Sequence, residues 1–170
     1  MVRPKIKSAL FFMAFGYFSL FSCGEEIVYR DFPVEFSDVN EREAGPGEKN
    51  MALGVYEEES FREIDEGDSL PIINGLQGGT WVHLSVRVSG LPRSGNIAVQ
   101  LGNGIGSVEY SLKLLRTAEG FLEAYDIPIP VPFEGEELEA LFGTTVSIKV
   151  EYSADSGAVT AETLVVLEKG

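Results

Sequence analysis

Thr80-Trp81-Val82-His83-Leu84-Ser85-Val86-Arg87-Val88-Ser89 alternates along its whole length. In an extended chain successive side chains point to opposite faces, so Val82, Leu84, Val86 and Val88 share one face and Trp81, His83, Ser85 and Arg87 the other. A helix would scatter both sets around its axis. The stretch therefore reads as a strand with an apolar row toward a core and a mixed row outward. Gly75-Leu76-Gln77-Gly78-Gly79 precedes it as a glycine-rich turn, and Leu91-Pro92 ends it.

The same period recurs on both sides. Leu70 to Ile73 is a first short strand, and Asn96 to Leu101 turns Ile97, Val99 and Leu101 inward. Asn103-Gly104 predicts a type I′ hairpin turn, with positive φ at both residues, into a strand that buries Val108, Tyr110, Leu112 and Leu114. Phe121 to Val131 is the fifth strand. Its Pro128 and Pro130, with Pro132 just beyond, lack ladder donors, so its second half is an edge or a crossover, and edge protection explains them better than a polyproline ligand does. Glu136 to Phe142 sets Leu138, Leu141 and Phe142 at helical spacing before Gly143. Val146, Ile148, Val150 and Tyr152 face inward from a sixth strand, Asp155-Ser156-Gly157 turns, and Val159 to Leu167 is the seventh. The expected fold is all-β, an antiparallel β-sandwich of about seven strands with one short helix over residues 69–170.

This pattern resembles an immunoglobulin or fibronectin type III sandwich, without the disulfide and core tryptophan of antibody domains. The turn at Gly75 and Gln77 to Gly79 is also similar to one found before the second strand in a group of small bacterial lipoproteins. That resemblance spans about residues 61–170 and implies fold and address, not an activity.

Ahead of these strands, residues 24–68 carry 15 acidic and 4 basic side chains. Weak burial and self-repulsion make residues 23–68 an acidic, partly disordered tether. Two apolar groups, Ile27 to Phe36 and Leu53, Val55 and Tyr56, are candidates for docking as added edge strands. The tether's acids lack EF-hand spacing, so they read as a solvated charge run and not as a calcium site.

Residues 1–22 have the anatomy of a signal peptide: Arg3, Lys5 and Lys7, then an uncharged run from Ala9 to Phe21, then Ser22. As a helix the run would extend about 20 Å, short of a hydrocarbon core of roughly 30 Å. Leu20-Phe21-Ser22-Cys23 resembles the bacterial lipobox, although Phe21 is bulkier than the residue usual there. The resemblance implies cleavage before Cys23 and lipid on its thiol, with membrane attachment through acyl chains. Gly24 in place of Asp implies the outer membrane if the source is Gram-negative. Ordinary cleavage near Cys23, leaving an exported protein with a lone thiol, is the alternative.

The whole chain has 13 Lys+Arg against 27 Asp+Glu, and without Arg3, Lys5 and Lys7 this becomes 10 against 27, net −17. Such a chain is a poor partner for nucleic acid, which needs clustered cations. A single cysteine excludes an internal disulfide and a cysteine-built zinc cage, and no other metal or cofactor is implied. The single histidine, His83, has neither a nucleophile elbow nor an HExxH motif around it, so no catalytic residue is expected. Gly102 to Gly106 leads into a strand and lacks the helix of a phosphate loop. The reading is a noncatalytic, membrane-anchored envelope lipoprotein that binds or assembles with another envelope component; its alternative is carbohydrate or peptidoglycan recognition. Trp81, His83 and Arg87 form the expected binding patch, against the plainer reading that Trp81 caps the core and the other two are solvated.

Overall fold

Backbone donors and acceptors in alternating rows need partners, and here the strands supply them to one another. The computed structural model describes residues 44–75 and 78–170. The chain divides into two units, Met1–Arg30 and Asp31–Gly170, and every described residue belongs to the second. Cys23, the signal segment and Ile27 to Phe36 lie outside the described residues.

The fold is all-β. Its strands are β1 (Asn50–Glu57), β2 (Ser60–Glu63), β3 (Ser69–Asn74), β4 (Thr80–Ser89), β5 (Ser94–Leu101), β6 (Gly106–Lys113), β7 (Leu115–Arg116), β8 (Leu122–Pro130), β9 (Thr145–Ala154) and β10 (Gly157–Lys169). The single described helix, α1 (Gly135–Glu139), is followed by Leu141 and Phe142, which pack with Leu138 on the core. Among the described residues no helix is long and apolar enough to cross a membrane.

Hydrogen bonds run through one continuous, curled sheet in the order β2-β1-β4-β3-β10-β9-β5-β6, with β8 on β4 and β7 on β8. Strand β4 is its hub. One edge of β4 pairs with β8; the other is shared, by β3 near Thr80–Val82 and by β1 along Ser85–Ser89. β3 also runs parallel to β10, whereas every other strand pair is antiparallel. The curl brings the two far edges together at Gly106, where a Cβ would collide with the Pro130 carbonyl oxygen.

The inward rows meet in one core. Val82, Leu84, Val86 and Val88 are fully buried, as are Ile97, Leu101, Ile148, Val150 and Tyr152. Tyr110 departs from its expected burial and is 37% exposed, with Val108 and Leu112 only half-buried. Each is on the same face as a buried residue of β5, but β6 is an edge strand paired only with β5, so the curled sheet stops short of covering it. Val131 N–H donates to Thr80 O, so by alternation Pro128 and Pro130 turn their missing donors away from β4, as an edge requires.

Residues 44–68, within the stretch read as tether, belong to this structure. Gly45 N–H donates to Leu91 O, Lys49 Nζ to Ser156 O, and Met51, Leu53 and Ile64 are core residues. The Asn103-Gly104 turn differs from its expected form. Leu101 pairs with Gly106 across a four-residue loop, and positive φ falls on Gly102 and Gly104, not on Asn103. The two-residue turn with positive φ at both positions instead joins β1 to β2, at Glu58 (48°) and Glu59 (64°). Side chains with a Cβ are strained there, and Asn-Gly is the pair that fits. Glu58→Asn with Glu59→Gly should raise stability by about 1–2 kcal/mol, seen as a higher urea midpoint at unchanged slope; a lower midpoint would mean that the glutamates make contacts outweighing their strain.

Burial pushes the Tyr152 phenol up to about 12, and its hydroxyl donates to Pro92 O at 2.8 Å. An unfolded tyrosine titrates near 10, so the raised folded value contributes stability that is complete below pH ~10 and lost as pH climbs through the folded value. The wild type should therefore lose stability between pH 10 and 12 (~10 to ~12 from the two values) more steeply than Tyr152→Phe. Equal slopes in urea titrations would remove Tyr152 as the cause.

Candidate binding site

Strand β8 holds more residues than its partner needs. Leu84 pairs with Ile127 but Val86 with Ala124, so Tyr125 and Asp126 together oppose Ser85. Glu123 and Tyr125, two residues apart, share the outer face by alternation, and the bulge after them reverses the parity so that Ile127 and Ile129 return to the core. Asp126 takes the strain, with φ at 50°, and its N–H donates to Ser85 Oγ at 3.3 Å.

The register sets Glu123 directly beside Arg87. Arg87 Nε donates to Glu123 Oε1 at 2.5 Å, and the Tyr125 hydroxyl donates to Glu123 Oε2. Glu123 is 1% exposed although it lies on the outer face of the sheet. Burial first, then this hydrogen bond, holds the Tyr125 phenol protonated well above its ordinary range. Two phenyl rings close over the guanidinium, Phe61 with its centroid 4.6 Å from Cζ and Phe121 at 4.3 Å. Each contact is worth about 0.5–1 kcal/mol at a partly exposed site.

Each ring has a local cause. Gly54 pairs with Glu63 and clears the space for Phe61; a Cβ at Gly54 would stand 2.5 Å from the Phe61 ring. Arg62, next in sequence, is held by Glu57 at 2.8 Å and Asp68 at 2.9 Å. Phe121 closes a tight loop: Thr117 N–H donates to Phe121 O, and Phe121 N–H to Thr117 Oγ1. Tyr56 stacks at a tilt on Tyr125, centroids 4.4 Å apart.

The result is a cavity of about 360 Å³ walled by Tyr56, Phe61, Phe121 and Tyr125, with Arg87 and Glu123 in its wall and Glu59 and Glu119 at its rim. That volume suits a small molecule or one residue of a larger one. The Arg87 side chain keeps 31% exposure, and no bond to its Nη atoms is made among the described residues. Two rings pack against it and its Nε is committed, so the Nη groups are what it has left to present.

Of the three residues expected to form a patch, Arg87 alone enters this cavity. Trp81 sits beside Ile73 and Pro130, its indole lying against Gly75 and Gly79. His83 is half-buried beside Pro128. Six residues of strand separate Trp81 from Arg87 by roughly 20 Å, so one face does not make one site. Sequence reasoning missed Phe61, Glu123 and Tyr125, whose meeting depends on register and on the bulge. The one available signal was an arginine on the outer row of an otherwise acidic domain.

A wider groove of about 690 Å³ over Asn96, Ser111, Lys113 and Asp155 is open and lined mainly by small polar groups, without a buried charge. Among the described residues no group of three or more His, Cys, Asp or Glu side chains is placed to hold a metal ion. No protein-family model matches this chain, and neither does any curated protein or solved structure.

Proposed function

We propose that this chain is an exported, lipid-anchored binding or assembly module of the cell envelope, noncatalytic, with the Arg87 cavity as its recognition site. One observation carries the binding reading. Of the three described non-glycine residues at positive φ, Glu59 lines the cavity that holds the Arg87–Glu123 pair, and Glu58 and Asp126 directly adjoin its lining residues Glu59 and Tyr125 in the chain. Strain of this kind costs of order 1–3 kcal/mol per residue and a buried ion pair is a poor source of stability, so their convergence favours a role other than folding.

The address rests on Cys23 and the signal-like residues before it. Cys23→Ser in the native host should abolish incorporation of labelled fatty acid and partition into detergent; equal labelling of both forms would remove the anchor. For the fold, the exchange of β3 from β4 to a parallel run beside β10 supports an immunoglobulin-like sandwich, with β1, β4 and β8 in one layer and β10, β9, β5 and β6 in the other.

The four aromatic walls favour a second reading, a carbohydrate or peptidoglycan site, because sugar rings pack on aromatic faces. A photocrosslinking residue at Ala118, on the cavity wall, separates these outcomes in the native host. A discrete protein adduct supports the assembly reading and a glycan adduct the second. The same adduct from exposed Glu162 on β10 would contradict both.

A further inference from the structure

We infer that the Arg87 edge is a receptor for a single carboxylate of the ligand, an inference that rests on the cavity being a binding site. The guanidinium has five N–H donors in a rigid plane. Here one donor is committed to Glu123, the rings of Phe61 and Phe121 lie 4.6 and 4.3 Å from Cζ, and the side chain cannot swing without breaking these contacts. What remains toward the cavity is the pair of Nη groups, a planar fork whose spacing matches the two oxygens of a carboxylate. Glu123 makes no bond to the fork; its two oxygens accept from Arg87 Nε and from the Tyr125 hydroxyl.

Charge narrows the choice further. Arg87 is the one cation lining the cavity, against Glu123, Glu59 and Glu119. Coulomb energy scales with the product of charges for the attraction to Arg87 and the repulsion from the acids alike, so in a lining of three acids and one cation a doubly charged phosphate meets about twice the net penalty of a singly charged carboxylate. The aromatic walls favour a carboxylate borne on an apolar or ring-shaped body. A chain terminus and an acidic sugar both satisfy this description.

Titration of the labelled full chain, followed by NMR at the Arg87 Nε–H and the Phe121 amide, tests the assignment. Benzoate should shift both signals saturably, while benzamide, its neutral counterpart, and inorganic phosphate should bind at least tenfold more weakly (~10-fold, one bidentate charge-assisted contact). Arg87→Lys, which keeps the charge and loses the fork, should weaken benzoate at least about tenfold with the fold retained, as read from the remaining amide signals. N-acetylphenylalanine and glucuronate then separate the two sources, and binding of either agrees with the carboxylate assignment. Equal binding of benzamide, preference for phosphate, unchanged binding to Arg87→Lys, or no saturable shift with any carboxylate would each overturn it. A cavity-dependent adduct from Ala118 alongside such a failure would sink the carboxylate and leave the recognition site standing.

Discussion

A fragment beginning at Ser69 is expected to show no cooperative thermal unfolding, although it contains all seven strands that alternation in the sequence announces. Three core residues precede Ser69, namely Met51, Leu53 and Ile64. Truncating a single residue of this type to alanine costs about 2–5 kcal/mol, and a domain holds only about 5–15 kcal/mol in total. Removing β1 also bares the edge of β4 from Ser85 to Ser89, whose backbone groups then lack protein partners. The comparison is with a fragment beginning at Ala44, which retains the Ala44–Pro92 bridge and the bonds between Gly45 and the Gly90–Leu91 turn. Circular dichroism against temperature should show a sharp melt for that fragment alone. Melting of the Ser69 fragment within a few degrees of it would mean that β1 decorates the sheet without supporting it.

The second large effect is expected at the ion pair, and it is asymmetric. Arg87→Met leaves Glu123, 2% exposed at its side chain, as an unpaired carboxylate, and should destabilise by about 3–5 kcal/mol. Glu123→Ala leaves a guanidinium whose side chain is 31% exposed and can recruit water, so its cost should be smaller, about 2–3 kcal/mol. The double variant Arg87→Met, Glu123→Leu should recover most of either loss, because apolar replacement of a buried pair removes both desolvation penalties. Urea midpoints of the four proteins complete the cycle. A double variant as unstable as the sum of its parents would show that the pair supports the fold directly.

The core was legible because it depends on parity alone. Val82 to Val88 needed only period two to be assigned inward, and the structure buries the whole row. Parity failed at Tyr110, where burial depends on how far the sheet curls back over its own edge, a property of the assembled sheet. β1 was legible only as a candidate edge strand through Leu53, Val55 and Tyr56, because a stretch with 15 acids obscures the inward alternation of Met51 and Leu53 and hides β2, which makes β1 an inner strand. The outer site was the least legible. Arg87 and Glu123 are 36 residues apart, and one unannounced extra residue in β8 sets Glu123 and Tyr125 on the face opposite Ile127 and Ile129, which unbroken alternation would put on the same side. The expected patch joined Trp81, His83 and Arg87 because they share a strand face, but a strand spreads its face along its length and a pocket gathers side chains across several strands.

Recognition through the Arg87 cavity is tested most directly by the double variant Arg87→Met, Glu123→Leu, which removes the charge pair without leaving a buried charge behind. Retention of the residue 44–170 domain on envelope isolated from the native host, measured beside its thermal midpoint, separates binding from folding. The expected result is a midpoint near that of the wild type with retention lost. Undiminished retention by the folded double variant would contradict the account.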